Sequence, residues 1–210
     1  MNELELEKYW NEKTPTQPII YAGRSITNAT TKQTTNLNVD VRNLVTPYDT
    51  FLQDIIVANN LKADSYDETM IRIQRYVCSH LKYVGDDQSI GVVEYWQFPF
   101  ETIATGIGDC EDGAILIASL AINAGIPAFR VRVTAGFVKP GEFAELGGHG
   151  YCTYLRESND WIVVDWCYLA DPQVEIKDKP IMKDNPFYKE VWFSFNHLFS
   201  FGDKSFIVDK

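Results

Sequence analysis

The stretch Gly106-Ile107-Gly108-Asp109-Cys110-Glu111-Asp112-Gly113, continuing through Ala114-Ile115-Leu116-Ile117-Ala118 to Ala124-Gly125-Ile126-Pro127, decides how the chain is read. Gly106 and Gly108 break the preceding structure. Apolar residues at 114, 115, 118, 121 and 122 then follow the spacing of a helix with one buried face. Gly125 and Pro127 end that helix. Acids at 109, 111 and 112 crowd its first turn, where the helix dipole favours negative charge. Cys110 therefore sits among unpaired backbone N–H groups, which lower a thiol pKa, and among carboxylates, which raise it. A strong nucleophile at this position needs an imidazole partner.

Working outward, the period changes. Ala128 to Val138 alternates through Phe129, Val131 and Val133, Gly150 to Arg156 continues in kind, and Trp161 to Tyr168 is almost wholly apolar and reads as a central strand. Glu157-Ser158-Asn159-Asp160 is a turn cluster that pairs the last two as an antiparallel hairpin. Upstream, the pattern predicts a helix over 47–59. A second opens with the capping box Ser65-Tyr66-Asp67-Glu68 and continues through Met70, Ile73, Val77 and Leu81. Helices followed by three antiparallel strands predict an α+β fold with helices packed on a sheet.

A chain of 210 residues suits one core. We expect an irregular arm over 1–45, rich in Thr, Asn, Gln and Pro, a catalytic core over 46–170, and an aromatic-rich extension over 171–210 packed on that core. The net charge of -10 opposes the phosphate contacts of nucleic-acid binding. Cys78, Cys110, Cys152 and Cys167 form no CxxC pair and read as reduced thiols. Met1 to Lys8 carries three glutamates and no signal-peptide pattern, and no stretch approaches a bilayer span. The expectation is a cytoplasmic or virion-associated protein with no membrane partner. Oligomeric state leaves no mark in the sequence.

His149, in Gly147-Gly148-His149-Gly150, has room around its ring for another group to approach. Asp165 interrupts an apolar run, and an unpaired buried charge there would be very costly, so it needs a partner. An odd-numbered turn or a bulge would put His149 and Asp165 on one face of the hairpin, whereas a strict two-residue turn would oppose them. Cys110, His149 and Asp165 then supply nucleophile, base and orienting group for covalent acyl transfer. The Trp96 indole or the Gln97 amide, beside the Cys110 backbone N–H, would serve the oxyanion. His80 and His197 lack such surroundings and read as structural. Cys78-Ser79-His80 is too close-spaced for a zinc site. Asp109, Glu111 and Asp112 could attract calcium, though a helix N-terminus explains the same acids.

Trp96-Gln97 and Pro99, Glu101-Thr102, Gly108-Asp109-Cys110-Glu111-Asp112, Gly147-Gly148-His149 and Val164-Asp165 together resemble the transglutaminase-like superfamily, and more narrowly its bacterial cysteine-proteinase branch. The resemblance covers roughly residues 62 to 170. It implies a papain-like α+β core with Cys110, His149 and Asp165 as its triad, no required cofactor, and a candidate calcium role for Asp109, Glu111 and Asp112. Members include crosslinking transglutaminases, peptidases and peptide amidases. The activity so implied is a cysteine hydrolase or acyltransferase acting on amide bonds of a peptide or protein substrate. The alternative is a noncatalytic interaction or virion protein that keeps the core as a scaffold.

Overall fold

The chain opens with α1 (Glu3–Lys13) and an antiparallel hairpin of β1 (Tyr21–Thr27) and β2 (Thr34–Asp40). The structure is a computed structural model describing residues 2–13, 16, 17, 20–28, 30–139, 141 and 144–202. The hairpin departs from the irregular arm expected of this segment. Its cross-strand pairs explain why: the Thr27 and Thr34 hydroxyls lie 2.9 Å apart and Ser25 donates to Asn36 Oδ1 at 2.9 Å, so polar side chains stabilise a ladder that a hydrophobic pattern does not reveal.

Next come α2 (Thr50–Ala58), whose N-cap Asp49 accepts from Phe51 N and Leu52 N, and α3 (Tyr66–His80), where Ser65 Oγ accepts from Glu68 N at 3.1 Å as its capping pattern predicts. A short β3 (Lys82–Tyr83), α4 (Asp86–Ser89) and α5 (Pro99–Thr105) lead to β4 (Ile107–Gly108), parallel to β3. The central helix α6 (Cys110–Asn123) follows. It is buried from Glu111 to Ala121, with no solvated face, because elements enclose it on every side.

Strands β5 (Val131–Val138), β6 (Gly147–Leu155), β7 (Trp161–Val164), β8 (Tyr188–Phe195) and β9 (Ser200–Phe201) form one antiparallel sheet in the order β7-β6-β5-β8-β9. The fold is α+β. Two readings need correction. The sheet has five strands, because the aromatic run after Pro186 pairs β8 with β5. And β7 is an edge strand that stops at Val164, so Asp165 lies just past its end. Of the predicted extension, residues 203–210 lie outside the described residues.

Helices α2, α3 and α6 bury one sheet face, including Val133, Cys152, Tyr154 and Val164. The other face, with Tyr151, Val163, Tyr188 and Val191, packs on Leu6 and Trp10 of α1 and on Met182. Among the described residues no helix is long and apolar enough to cross a membrane.

Candidate active site

Cys110 is the first residue of α6, and the strand facing it is bare. A Cβ at Gly150 would stand 2.9 Å from Glu111 Cα, so only glycine lets β6 approach this helix end so closely. The Gly150 N–H donates to Cys110 Sγ at 3.3 Å, and the thiol donates to Glu111 Oε2 at 3.2 Å. Burial pushes the Cys110 thiol up, the Glu111 charge adds to the rise, and the Gly150 N–H opposes it. The helix start alone therefore does not lower the thiol pKa.

The β6–β7 connection has five residues, 156–160, between Leu155 and Trp161. Asn159 is left-handed at φ 67°, and the Arg156 N–H donates to Asp160 O at 3.1 Å. This odd-numbered turn satisfies the register condition. Cys152 pairs with Val164, so the same register carried one position on puts Asp165 on the face of His149. His149 Nε2 and Asp165 Oδ2 are 2.7 Å apart, both side chains fully buried. Asp165 Oδ2 also accepts from the Tyr188 hydroxyl at 2.7 Å, and Oδ1 from the Cys167 N–H at 3.1 Å. Burial alone would raise the Asp165 carboxyl, but the His149 bond and charge, then Tyr188 and Cys167, outweigh it and hold the carboxyl below its ordinary value.

His149 Nδ1 is buried and has no hydrogen-bond partner. Tyr168 stacks parallel on the imidazole, with centroids 4.1 Å apart. Cys110 and His149 line one cleft of 230 Å³ with Trp96, Trp192, Glu94 and Gly148. No hydrogen bond joins the two within it.

The two oxyanion candidates part company. Trp96 lines the cleft, its indole N–H donating to Glu94 Oε2 at 3.2 Å. The Gln97 amide instead holds Asp112: its Nε2 lies 2.7 Å from Oδ2 and its backbone N–H 2.7 Å from Oδ1. Its donors are thus taken, and the residue does not line the cleft. His80 Nδ1 bonds to Tyr76 O at 2.8 Å on the helix surface, away from this group.

The acids also rearrange. One ligand oxygen each from Asp86, Asp109 and Asp112 lie within 4.8 Å of one another, as do those of Asp86, Glu94 and Glu111. Asp86 Oδ1, Asp109 Oδ1 and Glu111 Oε1 are buried without a partner, whereas both Asp112 oxygens are occupied by Gln97. Burial, then the Asp109 charge, pushes Asp86 up to about 7. Burial pushes Asp112 up to about 8, and raises Asp109 and Glu111 as well. Orphaned oxygens on several carboxylates in overlapping groups are donors suited to a hard cation such as calcium. Asp86 was not legible as a member, since it lies in a short helix 23 positions before Asp109 with no motif around it.

A sequence model of the transglutaminase-like superfamily matches residues 55–166. The chain belongs to the transglutaminase-like superfamily. No curated protein sequence matches it. Among solved structures, calcium-bound LapG of Legionella pneumophila aligns at 20% identity and a TM-score of 0.53, over 76% of this chain and 81% of that one. EGTA-treated LapG aligns at 20% identity and 0.51, over 74% of each chain. Those likenesses agree with the transglutaminase-like fold of helices packed on an antiparallel sheet. Within that fold, Tyr188 and Trp192 reach the site from β8, beyond the matched residues.

Proposed function

We propose that the protein is a cysteine peptidase or amidase that hydrolyses amide bonds of a peptide or protein, with Cys110 as nucleophile, His149 as base and Asp165 as orienting group. One observation carries this reading: Asp165 fixes the imidazole through Nε2 while Nδ1, without a partner, belongs to a residue lining the same cleft as Cys110. His149 Nδ1 takes the Cys110 proton, and the thiolate forms a C–S bond to the substrate carbonyl carbon. The oxygen's developing charge is met by the Cys110 backbone N–H, with the Trp96 indole as second donor once its N–H turns from Glu94 Oε2 to the substrate. The intermediate collapses, the C–N bond breaks, and His149 returns the proton to the departing amine. Water, deprotonated by His149, then hydrolyses the thioester.

Asp86, Asp109 and Glu111, with Asp112 beside them, would hold calcium. Its charge would neutralise the carboxylates that raise the Cys110 thiol. The family and the donor set support this site, and the calcium-bound LapG structure is consistent with it.

A noncatalytic scaffold is favoured by one observation, that the thiol donates to Glu111 and not to His149. Iodoacetamide labelling separates the readings. With calcium present at neutral pH, Cys110 should label before Cys78, Cys152 and Cys167, and His149→Ala should slow it. The same preparation should hydrolyse a peptide library and Cys110→Ser should not. Preferential labelling of another cysteine, or library hydrolysis that survives Cys110→Ser, would overturn the assignment. A new amide formed with an added amine, in place of the free acid, would redirect it to acyl transfer.

A further inference from the structure

We propose that Tyr188, on β8, is a positioning residue that aims the Asp165 carboxylate at His149, so that the segment beyond the matched family core completes the catalytic group. The inference rests on the reading of Cys110, His149 and Asp165 given above. Asp165 Oδ2 receives two donors at 2.7 Å, His149 Nε2 and the Tyr188 hydroxyl, from two different strands. Oδ1 receives the Cys167 N–H at 3.1 Å. Since Asp165 lies beyond the last residue of β7, the sheet ladder does not fix its side chain, and these donors do, with the Cys167 thiol adding a longer contact to Oδ1 at 3.7 Å. Of the donors besides His149, only the Tyr188 hydroxyl reaches the oxygen that His149 uses.

Tyr188 is itself tightly held. It is 6% exposed, pairs with Val138 of β5 just past a bulge in the ladder, and packs edge-on against Tyr151 with ring centroids 4.7 Å apart. Burial and the Asp165 charge keep its phenol protonated, so it remains a donor. A carboxylate with a fixed rotamer accepts the Nε2 proton of His149 and leaves Nδ1 free for the thiol, which is how a second partner orients a catalytic imidazole. Loss of the hydroxyl would leave Oδ2 with His149 alone, so that the carboxylate is held less tightly, by His149 on one oxygen and Cys167 on the other. The family match stops at residue 166, so nothing in the matched segment supplies this donor.

Tyr188→Phe keeps the ring and removes the bond. With the melting temperature and near-ultraviolet dichroism confirming the fold, Cys110 labelling by iodoacetamide at one fixed pH in calcium should slow by about tenfold, the size of one hydrogen bond to a charged group. The downfield proton resonance of His149 Nε2 should shift and broaden, which a packing role alone would not produce. In an Asp165→Asn background the same change should slow labelling less than twofold. Tyr151→Phe, which removes a buried hydroxyl without a partner on the same face, should leave the rate unaltered. Independently of any variant, the native protein should show a slowly exchanging Tyr188 hydroxyl proton close to the Nε2 proton in nuclear Overhauser spectra.

Unchanged labelling and resonance in Tyr188→Phe, a full tenfold effect in the Asp165→Asn background, or absence of the hydroxyl contact would each overturn the inference. Its failure is separable from failure of the enzyme reading, in which native Cys110 itself shows no preferential labelling.

Discussion

Gln97 grips both oxygens of Asp112, its backbone N–H on Oδ1 and its amide Nε2 on Oδ2, each at 2.7 Å and fully buried. Asp112 also accepts the Asp109 N–H at 3.2 Å, so one carboxylate ties the loop before α5 to the first turn of α6. Gln97→Ala would leave Asp112 Oδ2 short of a donor in a buried setting, at a cost of about 2 kcal/mol. For a chain of this size that corresponds to roughly 4–8 °C in melting temperature. A scan within 1 °C of the native value would show that this bond contributes little.

Calcium should stabilise the fold. Three orphaned carboxylate oxygens, on Asp86, Asp109 and Glu111, surround the helix start. At a hundredfold excess over its dissociation constant, a ligand adds about 2.7 kcal/mol, which is roughly 5–10 °C here. Comparing EGTA with millimolar calcium by scanning calorimetry tests this. Asp86→Asn should shrink the increment if that residue belongs to the set; an increment that survives it intact places the ion elsewhere, and no increment at all removes calcium from the site.

Much of this was legible in the sequence because local signals agreed. Ser65 caps α3, Gly125 ends α6 at φ +100°, and the turn 156–160 sets the register that faces Asp165 toward His149. What escaped was set by tertiary partners. Gln97 reads as an oxyanion amide until Asp112 is seen to occupy it. Tyr188 reads as one of several aromatics until β8 inserts beside β5. The hairpin of β1 and β2 is stabilised by Thr, Ser and Asn pairs and by one buried arginine, none of which raises hydrophobic periodicity.

Asp165→Asn tests orientation more severely than any truncation. An amide can present N–H to His149 Nε2, which shifts the ring proton to Nδ1 and removes the base that faces the thiol. Peptide hydrolysis should fall on the order of a thousandfold or more with the fold intact. A loss below tenfold would mean that Asp165 only fills a buried polar position.

Acid should weaken the protein through His197, which is half-buried with an unpartnered Nδ1. Burial holds its pKa below the ordinary 6.5, so the unfolded chain takes up the proton first. The associated stability is complete above pH 6.5 and declines as pH drops through the lower folded value. Urea midpoints of the native protein and His197→Asn, measured from pH 7.5 to 5, should therefore separate progressively, the native protein losing more. Parallel curves would exclude this histidine as the cause.

Arg24 links the amino-terminal hairpin to the wall of the cleft. Its guanidinium is 5% exposed and meets both Glu101 oxygens, at 2.7 and 2.9 Å, while lying over the Phe98 ring and bonding the Tyr95 hydroxyl. Tyr95 and Phe98 bracket Trp96, so the hairpin braces the segment whose Trp96 lines the same cleft as Cys110. Glu101 keeps about a quarter of its side chain in solvent, which limits the penalty of breaking the pair to about 1–3 kcal/mol, below that of a wholly buried one. Arg24→Ala should lower stability by that amount, roughly 2–12 °C in melting temperature, and also slow peptide hydrolysis, because the loosened 95–98 segment no longer fixes Trp96. Arg24→Lys should recover part of the stability, since one nitrogen, Nη2, makes both contacts to Glu101, but not the flat stacking over Phe98. If Arg24→Ala lowers stability and leaves hydrolysis untouched, the hairpin is a packing element with no hold on the cleft.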